Sequence, residues 1–224
     1  MKKVLYALTL LIGIFVSVSA VNAQIVESGL KEAVTEEIEY FGNKDNFDDE
    51  QTFDAYQVYV NKMKSADLSN YTESDDKVNV YIFRGKTCWH CLDEISWLSS
   101  QVKEYGKYFN IRTFEVWGNK DNSKLMTTVA KHLGETASGV PYTIIGKKTY
   151  SGFSATTGSE MLKEIKSQYE TKDRYDIKNE INLSDGSIIS NGDEKKSTSV
   201  VMIILISIVI VAGVAVVIYI SKSK

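Results

Sequence analysis

The spacing of hydrophobic positions changes several times along the 224-residue chain, and each change marks an element. Phe53, Tyr56, Tyr59 or Val60, and Met63 recur at helical spacing behind Asp49 or Thr52 as cap, which predicts a first amphipathic helix. Ser65 to Lys77 is polar and turn-rich. Val78-Asn79-Val80-Tyr81-Ile82-Phe83 reads as a buried strand. Leu92, Ile95, Leu98, Val102 and Tyr105 then form the stripe of a long helix reaching about Tyr108, with Asp93 and Glu94 in its first turns, where acids suit the helix dipole. A second strand is expected at about Ile111 to Trp117. After the polar break Asn119 to Asn122, a helix runs through Leu125, Met126, Val129 and Leu133, capped by Asp121 or Asn122 and stopped by Gly134. Pro141, the only proline, enters a strand at Tyr142 to Gly146. Lys147 and Lys148 turn, Thr149 to Phe153 pairs back, and a last helix spans about Gly158 to Tyr169 with Met161, Leu162 and Ile165 inward. Strands alternating with helices, closed by a hairpin, predict an α/β domain.

The two ends have a different pattern. Lys2 and Lys3, an apolar run from Val4 to about Val18, and small residues at Val21-Asn22-Ala23 are the parts of a signal peptide over 1–23, cleaved before Gln24. Val200 to Ile220 is an uncharged apolar run of about 21 residues, enough for ~31 Å of helix, and predicts one transmembrane span. Lys222 and Lys224 make 221–224 a cytoplasmic tail, so the domain is expected to face outward. Between the ends lie an acidic lead-in at 24–50, read as loosely packed or partly helical, a domain at 51–170, and a polar stalk at 171–199.

Charge narrows the partners. Four of the 26 basic residues (Lys2, Lys3, Lys222, Lys224) sit at the ends, which leaves 22 against 29 acidic residues and a net charge of −7 in between. No basic stripe is present, which argues against nucleic acid. Lysine- and asparagine-rich, proline-poor usage points to a bacterial cell surface. Asn70-Tyr71-Thr72 and Asn182-Leu183-Ser184 would be glycosylation acceptors in a eukaryotic source.

The candidate chemistry is confined to Lys86-Thr87-Cys88-Trp89-His90-Cys91, which holds both cysteines of the chain. A strand, a short loop and a helix opening at Cys-x-x-Cys put the first thiol at a helix N-terminus, where unpaired N–H groups and the dipole stabilise a thiolate. Cys88 is the candidate nucleophile and Cys91 the resolving thiol. An imidazolium at His90 would favour the Cys88 thiolate, and Arg84 and Lys86 add positive charge upstream. Other readings of the motif fare worse. Tetrahedral zinc needs about four ligands, and the chain has two cysteines and two histidines, His90 and His132. His132 reads as a solvated helix residue. Haem attachment needs a histidine where Leu92 stands. A bridge across so short a loop removes little chain entropy, which disfavours a purely structural disulfide. No metal or cofactor is expected.

From about Val78 to Glu170, the element order, the Cys-x-x-Cys and the Val140-Pro141 before the hairpin resemble the thioredoxin superfamily. The resemblance implies a thioredoxin-like fold with a central mixed sheet, a cis Pro141 facing Cys88, and a glycine such as Gly152 in the last strand. It also implies substrate contact by Trp89, Val140 and Pro141. Trp89-His90 is similar to the dipeptide of disulfide isomerases and bacterial disulfide oxidases in keeping histidine before the second cysteine. In one respect the chain departs from the family: six positions before Cys88, where thioredoxins and isomerases often bury a proton-transferring acid, stands Ile82.

These readings together describe a membrane-tethered extracytoplasmic thiol-disulfide oxidoreductase that oxidises or isomerises disulfides of exported proteins. A separate redox partner would reset its cysteines. The alternatives are a reductase fed by a membrane electron donor and a non-catalytic binding module of the same fold.

Overall fold

The computed structural model describes residues 24–189, a mixed α/β unit built on one five-stranded sheet. The expected signal peptide (1–23) and transmembrane run (200–220) lie outside the described residues. In chain order the elements are β1 (Ser28–Gly29), α1 (Leu30–Phe41), α2 (Glu50–Ser65), β2 (Val78–Arg84), α3 (Trp89–Tyr105), β3 (Phe109–Glu115), α4 (Lys120–His132), β4 (Tyr142–Ile145), β5 (Lys148–Ser151) and α5 (Ala155–Glu170). The sheet order is β1-β3-β2-β4-β5. Strands β2 and β3 run parallel, and the other three pairings are antiparallel.

Every residue of β2 is buried. Its alternate side chains feed two cores, as the two-residue period of a strand requires. Val78, Val80 and Ile82 join Ile111 and Ile145 beneath α1, α2, α3 and α5, in a core that includes Leu30, Phe41, Met63, Leu92, Ile95, Leu98, Met161 and Ile165. Tyr81 and Phe83 face the other way and pack with Phe114, Tyr142, Ile144, Leu125 and Val129 under α4. Helix caps come from the polar residues before each helix: the side chains of Asp49, Asn119 and Ser154 accept first-turn N–H groups.

The boundaries of the packed unit differ from those expected. The acidic lead-in is not loose, because β1 pairs antiparallel with β3 and α1 buries Leu30, Ala33, Val34, Glu37 and Phe41. These positions follow a helical stripe that the surrounding glutamates mask. At the other end, 171–189 is a packed strap and not the start of a stalk. Ile177 and Ile181 enter the second core, and Asp176 accepts from Asn79 Nδ2 at 2.7 Å and from Tyr81 Oη at 2.5 Å. Arg174 donates to the Lys77 carbonyl at 2.8 Å. His132 is likewise not a free surface residue: its Nε2 lies 2.6 Å from Glu180 Oε2, which ties the strap to the C-terminal end of α4.

If the strap is part of the fold, Ile181→Ala, at a fully buried side chain, lowers the unfolding free energy by about 2–5 kcal/mol. Ile188→Ala, at an exposed side chain of the same segment, changes it by less than about 0.5 kcal/mol. Urea unfolding of the two variants checks this, and equal small effects would show that 171–189 does not pack.

Candidate functional site

Parallel strands β2 and β3 end on the same edge of the sheet, and the cysteine loop leaves from there. The Gly85 carbonyl accepts the Cys88 N–H at 3.1 Å, which turns the chain into α3. Cys88 is the N-cap of that helix, with extended backbone (φ −82°, ψ 111°), and its Sγ accepts the Cys91 N–H at 3.3 Å. The thiol sulfur therefore takes the place of a capping oxygen among the free N–H groups of the first turn, where partial positive charge favours a thiolate. Cys91, one turn on, is paired with Cys88 in a disulfide with 5.2 Å between the Cα atoms. The two sulfurs are not equivalent: Cys88 is 7% exposed and Cys91 is fully enclosed.

Other residues singled out in the sequence gather around this pair. The Val140–Pro141 peptide bond is cis, and the Val140 carbonyl oxygen lies 3.7 Å from Cys88 Sγ. Pro141 is held from the far side, where its carbonyl accepts the Gly152 N–H at 2.8 Å. Gly152 itself has φ 77°, a left-handed conformation that favours glycine. Trp89 projects from the first turn of α3 and remains 46% exposed. Its ring lies against that of His90, tilted by 31° with 3.6 Å between centroids, and His90 Nδ1 is buried without a partner.

Arg84 does not act as expected. Only 1% of its surface is exposed, and its guanidinium is committed to Glu36, to Glu37 at 3.0 Å and to Thr113 Oγ1 at 3.3 Å. Its charge is neutralised under the sheet edge and is not offered to Cys88. Burial pushes the Glu37 carboxyl up to about 8 against the pull of Arg84. Lys86 is exposed, and its backbone N–H donates to Glu115.

Two site residues escape the sequence reading. The first is Glu94, expected only as an acid of the first turns that suits the helix dipole. It is 1% exposed, faces the sheet three residues after Cys91, and accepts from Thr143 Oγ1 at 2.7 Å. Thr143 is the β4 partner of Ile82. The carboxyl thus lies against the sheet at the level of Ile82, supplied by α3 and not by β2. Its Oε2 has no hydrogen-bond partner, and residues three apart on a helix share a face, which turns Glu94 toward the side of Cys91. Its signal was the stripe Cys91, Glu94, Ile95, Leu98, in which one acid occupies a core position. The second is Trp117, two residues beyond β3, whose indole lies against Gly85 of the cysteine loop and which carries no periodic signal. Among the described residues, no group of three or more His, Cys, Asp or Glu side chains is arranged to hold a metal ion.

No family model matches the chain, and neither does any curated protein or solved structure.

Burial pushes the Glu94 carboxyl up to about 8. Between the ordinary carboxyl value and that one, the folded state holds a proton that the unfolded chain releases. The stability linked to this proton is therefore complete in acid and is lost as the pH rises through about 8. Glu94→Gln, which stays neutral, loses less stability than the wild type between about pH 5 and 9, read as the urea midpoint at each pH. Identical slopes would show that the Glu94 carboxyl gains no proton on folding.

Proposed function

We propose that the protein is a membrane-tethered, extracytoplasmic thiol-disulfide oxidoreductase of thioredoxin-like fold, which oxidises or isomerises disulfides of exported proteins. The observation that carries this reading is the asymmetric pair: a disulfide whose first sulfur caps a helix and whose second is enclosed. The Val140 carbonyl beside Cys88 and the β4–β5 hairpin behind it support the thioredoxin-like assignment.

In the oxidising direction, a substrate thiolate attacks Cys88 Sγ. A new substrate-to-Cys88 bond forms and the Cys88–Cys91 bond breaks. Cys91 leaves as a thiolate inside the protein, where burial makes the charge costly, and takes a proton. Glu94, neutral near pH 7 because of its raised pKa, is the donor within one helical turn. The second substrate thiolate then attacks the substrate sulfur of the mixed disulfide. Cys88 departs as a thiolate stabilised by the N-terminus of α3, with His90 beside it in the first turn. Two electrons have passed from the substrate to the cysteine pair, and a separate membrane or exported redox partner removes them. Trp89, Val140 and Pro141 form the contact surface on which the substrate chain lies.

Residues 190–199 are what remains between the packed unit and the apolar run proposed as the anchor, a length of at most ~35 Å. The strap ends at Ile189, whose N–H donates to the Glu180 carbonyl, and Glu180 is bound to His132 at the C-terminal end of α4. That end of α4 is opposite the edge at which it starts, the edge of Cys88.

Equilibration of the protein against glutathione redox buffers, with Cys88→Ser as the control, tests the reading. A potential of about −120 to −180 mV is expected for a disulfide donor. A value near −270 mV or lower would leave a reductase fed by another membrane protein. A bridge that also resists exchange would leave a binding module.

A further inference from the structure

Trp117 is the most exposed of the described tryptophans, at 59%, yet it is held in place. One Glu115 oxygen accepts the Trp117 N–H at 2.8 Å and the Lys86 N–H at 3.3 Å, and the other accepts the Gly118 N–H at 2.8 Å. A single carboxylate therefore joins the end of β3 to the cysteine loop. The indole lies on the backbone of Gly85: a Cβ there would collide with its Cδ2, Cε2 and Cε3 atoms. Gly85 is also the residue whose carbonyl accepts the Cys88 N–H. Segment 85–89 is thus bracketed by two exposed rings, Trp117 at its start and Trp89 at its end.

We propose that Trp117 is a specificity-determining contact of the redox site, which selects extended, not yet folded polypeptides carrying an apolar side chain close to the reacting cysteine. The proposal rests on the oxidoreductase reading. A ring with a fixed backbone loses little freedom on binding and has large apolar area left to cover, the properties of an interface anchor. The indole adjoins the Cys88 loop directly, because it lies on Gly85, whose carbonyl accepts the Cys88 N–H. Cysteines destined for disulfides are set among core-forming residues, and before folding those side chains are exposed beside the thiol. A small thiol such as glutathione reaches Cys88 without covering the indole.

Oxidation rates of the full chain in detergent micelles measure this, with three reductants. These are a dithiol peptide with leucine or phenylalanine flanking one cysteine, the same peptide with serine at those positions, and glutathione. In the wild type the apolar peptide reacts faster than the serine peptide. Trp117→Ala lowers the ratio of the apolar-peptide rate to the glutathione rate by about tenfold, and Trp117→Phe restores most of it. A ratio unchanged in Trp117→Ala overturns the proposal, whether both rates fall together, as loss of loop structure would cause, or neither falls. A wild-type protein that exchanges with none of the three removes the oxidoreductase reading and this proposal with it.

Discussion

The structure depends on the burial of β2 along both faces. A central strand with core on either side cannot slip its register by one residue without exchanging the two cores, so its end point is fixed. That end point is Arg84, and Gly85 to Cys88 follow from it. The position of the Cys88 sulfur is therefore set by apolar packing along the strand, well away from the sulfur itself. The parallel pairing of β2 with β3 brings the other chain ends to the same edge, so the Glu115 carboxylate meets the cysteine loop there. On the opposite side of β2, the antiparallel β4 delivers Val140 and Pro141.

Burial on both faces leaves the polar groups of this region without water, and several have been given partners from distant parts of the chain. Arg84 meets Glu37 of α1, and Asn79 and Tyr81 meet Asp176 of the strap. An unpaired group at any of these places would cost a few kcal/mol, which makes α1 and the strap necessary covers for the sheet. Among the described residues, four buried side-chain atoms stay without a partner, Glu37 Oε2, His90 Nδ1, Glu94 Oε2 and Tyr142 Oη. In Glu94, one oxygen is bonded to Thr143 and the other is unpaired, on the helix face that also carries Cys91. Burial makes the ionised form of this carboxyl costly, so it holds its proton at a pH where a surface acid is ionised.

Much of the structure could be read from local pattern. The elements from α2 to α5 follow from hydrophobic period and capping residues, and the Cys-x-x-Cys announces its place at a helix start because N-terminal geometry is local. The strand and helix periods needed no knowledge of neighbours. The α1 stripe Leu30, Val34, Phe41 was present as well, but the density of glutamates around it outweighed the period in a charge-based reading.

What tertiary structure alone decided is the company each side chain keeps. Glu94 and Asp93 are adjacent acids in one helical turn, and only the position of the sheet makes one a core residue and leaves the other half in water. Arg84 reads as a free cation near the thiol until α1 is folded over it. The polar, glycine-containing strap reads as a linker, since a few isoleucines among charges carry no periodicity, and it becomes structure only because β2, β4 and α4 leave a surface to be covered. Hydrophobic spacing determines which elements form, because backbone period is a property of neighbours in sequence. Which acid is neutral, which cation is already paired and which tryptophan stays exposed depend on contacts made across tens of residues, and those exist only once the sheet has been assembled.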